Sequence, residues 1–362
     1  MLPARIQTLL ARNRAFGSRD RRLYRELIYT TLRFLPWIEP LLDSAPEEAV
    51  RRVALLASDV PATTAFRREF ATGEPPEGDR AELLPAWFRA HCAEIFSGAE
   101  LDAQLRRASL WLRLQTDDAP SVFAEFDDRG WRWQRSEILP RAVELLAEAD
   151  VTQTDAWEQG RIEVQDIGSQ LILESAGVTL GERWLDACAG AGGKTLQLAA
   201  LLGRTGHVDA YDIRPAALTE LETRARRAAL PNITIARTPP AKIYDGVLVD
   251  APCSGSGTWR RSPHLKWTTT ESQLARAAET QRALLQEFSA RVRPGGRLIY
   301  ATCSLSHVEN EDVVTGFLAA HPEFRAEPPE RAFDATSRSH GLAILPAQHN
   351  SDGFFVASLR RA

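Results

Sequence analysis

From about residue 181 onward, short apolar runs alternate with stretches whose apolar residues recur every three or four positions. That rhythm predicts βαβ units and a parallel sheet. Strands are expected at Arg183–Cys188, Gly206–Asp212, Asn232–Ala236, Asp245–Asp250 and Arg297–Thr302. Helices are expected between them over 194–203, 214–229 and 271–292, then over 308–320, with a closing strand at Phe354–Leu359. Upstream, Leu23, Leu27, Ile28, Leu32 and Leu35 keep helical spacing until Pro36 stops the run, so residues 1–70 read as helical. The stretch 72–79 (Thr-Gly-Glu-Pro-Pro-Glu-Gly-Asp) has the composition of a linker. Residues 80–180 read as mixed, with helices around 86–96, 99–111 and 138–148 and strand-like alternation at Ser121–Phe126 and Trp131–Gln134. The expected organisation is therefore a helical domain over 1–75, an α+β domain over 80–180 and an α/β domain over 181–362.

Composition narrows the class. The 362 residues, 44% hydrophobic and 25% charged, suit a globular protein with two or three cores and exclude collagen, coiled coil and disorder. No apolar run reaches the roughly 18 residues of a membrane span, and no signal-peptide core opens the chain, so a cytoplasmic protein is expected. Of 44 basic residues only three are Lys (Lys194, Lys242 and Lys266), which leaves 41 Arg. GC-rich codon bias accounts for such a ratio, but not for which three positions keep Lys. The net charge of −4 excludes a uniformly basic polyanion binder. Residues 1–36, however, carry eight Arg against Asp20 and Glu26, either an electrostatic footprint or the solvated face of a helix.

The chemistry concentrates where strands end. The first α/β strand runs into Asp186-Ala-Cys188-Ala189-Gly190-Ala191-Gly192-Gly193-Lys194-Thr195. A phosphate-binding P-loop would need Gly at 188, and a dinucleotide fingerprint would need Gly at 195. What remains is a glycine turn that lets backbone approach a ligand, with Asp212 ending the next strand, where a carboxylate can accept ribose hydroxyls. Asp212 also suits a helix cap. Together they point to an adenosine-type cofactor. Two further strands end in Asp250-Ala-Pro-Cys253-Ser-Gly-Ser-Gly257 and Thr302-Cys303-Ser304, bringing two Cys to the same sheet edge. No Cys or His cluster has metal spacing, so no metal is expected; Cys188 reads as part of the turn and Cys92 as structural.

This ordered set resembles the RNA (cytosine-5)-methyltransferase family, and the resemblance covers about 164–361. Gln165-Asp166-Ile-Gly-Ser169-Gln170, Arg260-Arg261-Ser-Pro-His-Leu-Lys266-Trp267 and Asp352-Gly-Phe-Phe355 extend it. Ser18–Arg33 is similar to the NusB-like helical domain of the bacterial 16S rRNA members, here shortened, and Pro85-Ala-Trp87 and Leu112-Arg-Leu114 to their bridging domain. The chain departs from the family at Ala191 (usually Pro), at His264 (usually acidic), and at 236–242, which lacks the usual adenine-contacting acid.

The resemblance implies a Rossmann-like S-adenosylmethionine-dependent domain acting on RNA, most simply 16S rRNA, as a monomer without metal or membrane. It implies Cys303 as nucleophile, with Cys253 assisting proton removal and release; residue chemistry alone leaves the two roles interchangeable. Asp250 and Lys194 are the expected catalytic partners. Residues 188–194, Asp212 and Asp250 are expected to hold the cofactor. Arg260, Arg261, Lys266, Arg19 and Arg21 are expected phosphate contacts, and Trp259 and Trp267 either stack on bases or pack. A tRNA target, and a non-catalytic RNA-binding assembly factor on the same fold, are the alternatives.

Overall fold

A computed structural model describes residues 2–146 and 148–362. The chain forms two compact units, one comprising the residues up to Ala108 with Thr258–Thr269, the other Ser109–Gly257 with Thr270–Ala362.

The first unit is helical, with helices at Leu2–Arg12, Ser18–Arg33, Pro46–Leu56, Thr64–Phe70 and Gly98–Leu105. Ser18–Arg33 starts where the Asp20 carboxylate accepts the Gly17 N–H at 2.9 Å and stops at Phe34, two residues before Pro36. Ile38, Ala54, Leu83, Phe88 and Ile95 are buried here, and Trp259 packs at a tilt against Phe88 with ring centroids 4.5 Å apart. The 258–269 segment is fastened by main-chain acceptors. Lys266 Nζ donates to the Arg33 and Leu83 carbonyls at 2.8 and 3.0 Å, and Trp267 Nε1 donates to Leu32 at 2.7 Å.

The expected middle domain is divided. Leu83, Phe88 and Ile95 serve the helical core, so the boundary falls at 108/109 rather than in the 72–79 linker. The second unit opens with a small antiparallel sheet of β1 (Leu110–Leu114), β2 (Trp133–Arg135), β3 (Ala142–Leu145) and β4 (Ile162–Val164), in the order β2-β3-β1-β4. Three expectations are corrected here. Ser121–Phe126 lies in a helix, Ala119–Asp128, whose first turn is capped by Asp118 accepting the Ser121 N–H at 3.3 Å. The 138–148 stretch contains β3, and the helix read over 99–111 ends at Leu105, before β1. β3 lies between β1 and β2 with all four residues buried, so no period-two pattern marks it.

In the α/β region the six expected strands appear in order as β5 (Arg183–Asp186), β6 (His207–Tyr211), β7 (Ile233–Ala236), β8 (Tyr244–Asp250), β9 (Val292–Thr302) and β13 (Phe354–Arg361), and three short strands that were not expected, β10 (Phe324–Glu327), β11 (Thr336–Ser337) and β12 (Leu342–Ile344), precede the last. The sheet order is β11-β12-β13-β9-β8-β5-β6-β7, with β10 beside β13. β5 through β9 run parallel and β13 is antiparallel to β9, giving the Rossmann-like α/β class expected. Helices Gly193–Leu202, Pro215–Arg227 and Glu271–Ser289 connect them. The central strands are continuous apolar runs because both faces are covered. Trp184 of β5 is fully buried over Gly246 of β8, where an added Cβ would sit 2.2 Å from the indole. Strand order reverses between β5 and β8, and open α/β sheets bind ligands at the carboxyl end of such a switch point.

Candidate active site

A cavity of about 580 Å³ opens at this switch point. One wall is the turn after β5. Gly190 and Gly192 take φ of +54° and +94°, the left-handed region that favours glycine, and a Cβ on Gly192 would meet Leu221 at 2.7 Å. The Gly190 N–H donates to Asp212 Oδ2 at 2.8 Å, which fixes the turn against the tip of β6. Cys188, Ala189, Gly190, Ala191, Gly193, Lys194, Asp212 and Asp250 all line the cavity. Gly192 is buried behind it. Burial raises the Asp212 pKa, but hydrogen bonds from Arg214 and Gly190 outweigh it, so the net shift is downward and the carboxylate stays charged.

Sequence reading missed the opposite wall. Thr280, Leu284, Glu287 and Phe288 of helix Glu271–Ser289 line it, with Ser169, Tyr211 and Ile213. The signal was present: positions 280, 284, 287 and 288 share one helix face.

At the β8 tip, Lys194 Nζ donates to Asp250 Oδ2 at 2.8 Å. Burial pulls the ammonium pKa down, but the charge and hydrogen bond of Asp250 exceed that, with Cys303 adding to them, so Lys194 stays charged. Its ammonium also lies 5.6 Å from the Phe354 ring centroid. Asp186 is wholly buried beneath the turn, and burial raises its pKa to about 7 against the pull of the Thr195 hydroxyl, which donates to it at 2.7 Å.

The sulfurs of Cys253 and Cys303 lie 3.3 Å apart. The hydrogen bond to Cys303 pushes the Cys253 pKa well up, with burial and the charges of Cys303 and Glu309 acting the same way. Cys253 therefore keeps its proton. The surroundings are asymmetric: Lys194 interacts with Cys303, whereas Glu309 acts on Cys253. A nearby carboxylate disfavours a thiolate, in keeping with the proton retained on Cys253. Residue order carries no trace of this asymmetry.

The expected phosphate contacts separate into two groups. Arg19 and Arg21 are exposed on helix Ser18–Arg33, and Arg261 is exposed too. Arg260 and Lys266 are each only 1% exposed, a correction to the reading of them as phosphate ligands. Lys266 is spent on two carbonyls, burial drives its pKa well down, and Arg260 Nη2 donates to the Arg107 carbonyl at 3.2 Å. Trp259 is fully buried and packs. Lys242, in the loop lacking the acid, pairs with Asp209 at 2.9 Å beside Tyr244. Among the described residues no group of three or more His, Cys, Asp or Glu is placed to hold a metal ion, and no helix is long and apolar enough to cross a membrane.

A parallel-rich sheet, a glycine turn and acidic strand tips at the switch point define a Rossmann-like cofactor-binding domain, here with a thiol pair at the same edge. The chain belongs to the 16S rRNA methyltransferase RsmB/F family, which residues 177–360 match. It is 35% identical over 241 residues to the probable ribosomal RNA small subunit methyltransferase B of Synechocystis, covering 62% of this chain but only 53% of that protein. The chain thus spans about half the length of that relative. The ribosomal RNA small subunit methyltransferase B of Yersinia pseudotuberculosis is 27% identical, over 95% of this chain and 91% of its own. In fold, the crystal structure of PH0851 matches with a TM-score of 0.78 at 23% identity, over 98% of this chain and 93% of that one.

Proposed function

We propose that this chain methylates carbon 5 of a cytosine in RNA, most simply small-subunit ribosomal RNA, through a covalent cysteine adduct. The observation that carries this reading is the pair of sulfurs 3.3 Å apart beside the Lys194–Asp250 pair. Family membership supports the RNA substrate, and the names of the relatives support its ribosomal origin.

The cavity fits the cofactor such a reaction needs. Its 580 Å³ volume suits an adenosine-sized group, the left-handed Gly190 brings bare backbone to its wall, and Asp212 lines it as a charged acceptor. Residues 188–194, Asp212 and Asp250 would hold it. S-adenosylmethionine supplies an electrophilic methyl group when bound.

The protein's own residues do the rest. Carbon 5 of cytosine is a weak nucleophile, and attack of the Cys303 thiolate on carbon 6 makes it enamine-like. Asp250, steadied by Lys194, faces the charge that develops on the ring. The bond to Cys303 breaks as the carbon-5 proton passes to the Cys253 sulfur, whose own proton goes to the departing Cys303 sulfur, so both thiols end protonated. The Cys253 thiol, held protonated 3.3 Å away, donates to the departing sulfur and assists release.

The test pairs two variants. Cys303→Ala is expected to abolish transfer of radiolabelled methyl to small-subunit RNA. Cys253→Ala is expected to accumulate a denaturant-resistant protein–RNA adduct. An adduct with Cys303→Ala instead would reverse the two roles. Absence of S-adenosylmethionine binding by calorimetry at millimolar ligand would end the enzymatic reading.

A further inference from the structure

Glu309 has no part in the reaction above, yet its carboxylate lies fully buried between the two cysteine loops. Oε1 accepts the Ser254 N–H at 2.7 Å and Gln281 Nε2 at 3.2 Å. Oε2 accepts the Ser254 and Ser304 hydroxyls at 2.5 and 2.6 Å. Ser254 directly follows Cys253 and Ser304 directly follows Cys303, so one side chain ties together the residues adjoining both sulfurs. Gln281 extends the tie to the Pro252 carbonyl at 3.0 Å. The neighbouring Asn310 side chain accepts from Thr302 Oγ1 and donates to the Ser304 carbonyl, bracing the Cys303 loop on its other side. The Glu309 main chain is itself held by the buried Tyr300 hydroxyl at 2.5 Å.

A carboxylate offers about four acceptor positions, and all four are filled here. That leaves no lone pair for moving a proton. Keeping a charge in a dry interior is also a costly way to stabilise a fold when an apolar side chain would fill the space. We propose that Glu309 is a positioning residue that sets the separation of Cys253 and Cys303, resting on the reading of those two thiols as the reacting pair.

Disulfide closure reports that separation without any methyl transfer. With oxidised glutathione as oxidant, the two thiols close to one disulfide and release two glutathione thiols. Glu309→Ala is expected to slow closure about tenfold and to lower kcat about 100-fold, with KM for RNA little changed. Glu309→Gln is expected to keep both within about threefold, because the amide can accept the Ser254 N–H and donate to the two hydroxyls. Should Glu309→Ala fail to fold, Ser304→Ala, which removes one tie, is expected to slow both readouts together.

Wild-type closure and turnover in the variant that carries the test, Glu309→Ala or its substitute, would overturn the proposal. So would a Glu309→Gln variant that closes normally but transfers no methyl, since that is the signature of proton transfer. If the wild-type chain transfers no methyl at all, the functional reading fails; the closure rates still decide whether Glu309 sets the thiol distance.

Discussion

Lys194 fills a site bounded by Asp250 at 2.8 Å and the Phe354 ring, and only a tenth of its side chain is exposed. A guanidinium is planar and wider than an ammonium. Lys194→Arg is therefore expected to lose most methyl transfer although charge is kept; wild-type turnover would return the rarity of Lys to codon bias alone. Asp186 yields a pH prediction. Its folded pKa of about 7 lies above the ordinary 3.8, so the fold favours the protonated acid. The stability this contributes is full below about pH 4 and is lost as pH rises through 7. Asp186→Asn keeps an acceptor for Thr195, and urea unfolding from about pH 5 to 8 is expected to show a flatter profile than wild type. The turn residues, Asp212, Asp250 and both Cys were legible from their places at strand ends. Glu309 was not, because a lone acid in a helical stretch looks like any solvated one until the fold turns it inward; nor was Glu287, which lines the cavity while still exposed to solvent.

Among the elements, the α/β strands were legible because buried parallel strands are short apolar runs punctuated by Gly and Asp. The small sheet was not. In Ala119–Asp128, Val122 and Phe126 stand four apart on one buried face, but Phe123 and polar neighbours between them imitate alternation. β3 carries Glu144, whose carboxylate is buried and accepts from Gln134 and Asn350, so an acidic residue inside a strand disguised it. The β5–β8 contact makes a sharp demand. Gly246→Ala would drive a Cβ into the Trp184 indole, and a loss of about 3 kcal/mol is expected from denaturant unfolding. An unchanged midpoint would show that the indole can shift aside.

Across the whole molecule, the −4 net charge coexists with a strongly basic first segment, and burial decides which of those charges reach solvent. If Arg19 and Arg21 meet phosphate, replacing each by Ala lowers the slope of log affinity against log salt by about one. Lys266→Met is expected to leave that slope alone and instead to destabilise the helical unit, since two carbonyls lose their donor. The three-domain reading went astray for the same reason: composition marked the 72–79 linker, but nothing in composition says that residues 258–269 serve a core built some 200 residues earlier. That long loan of a segment bears on how the chain is made. A chain emerging amino end first has β5 through β8 in hand before Trp259 and Lys266 exist to complete the helical unit. The first part synthesised is thus among the last to be finished, and until then the faces of Phe88 and Leu83 that Trp259 and Lys266 cover wait for their partners.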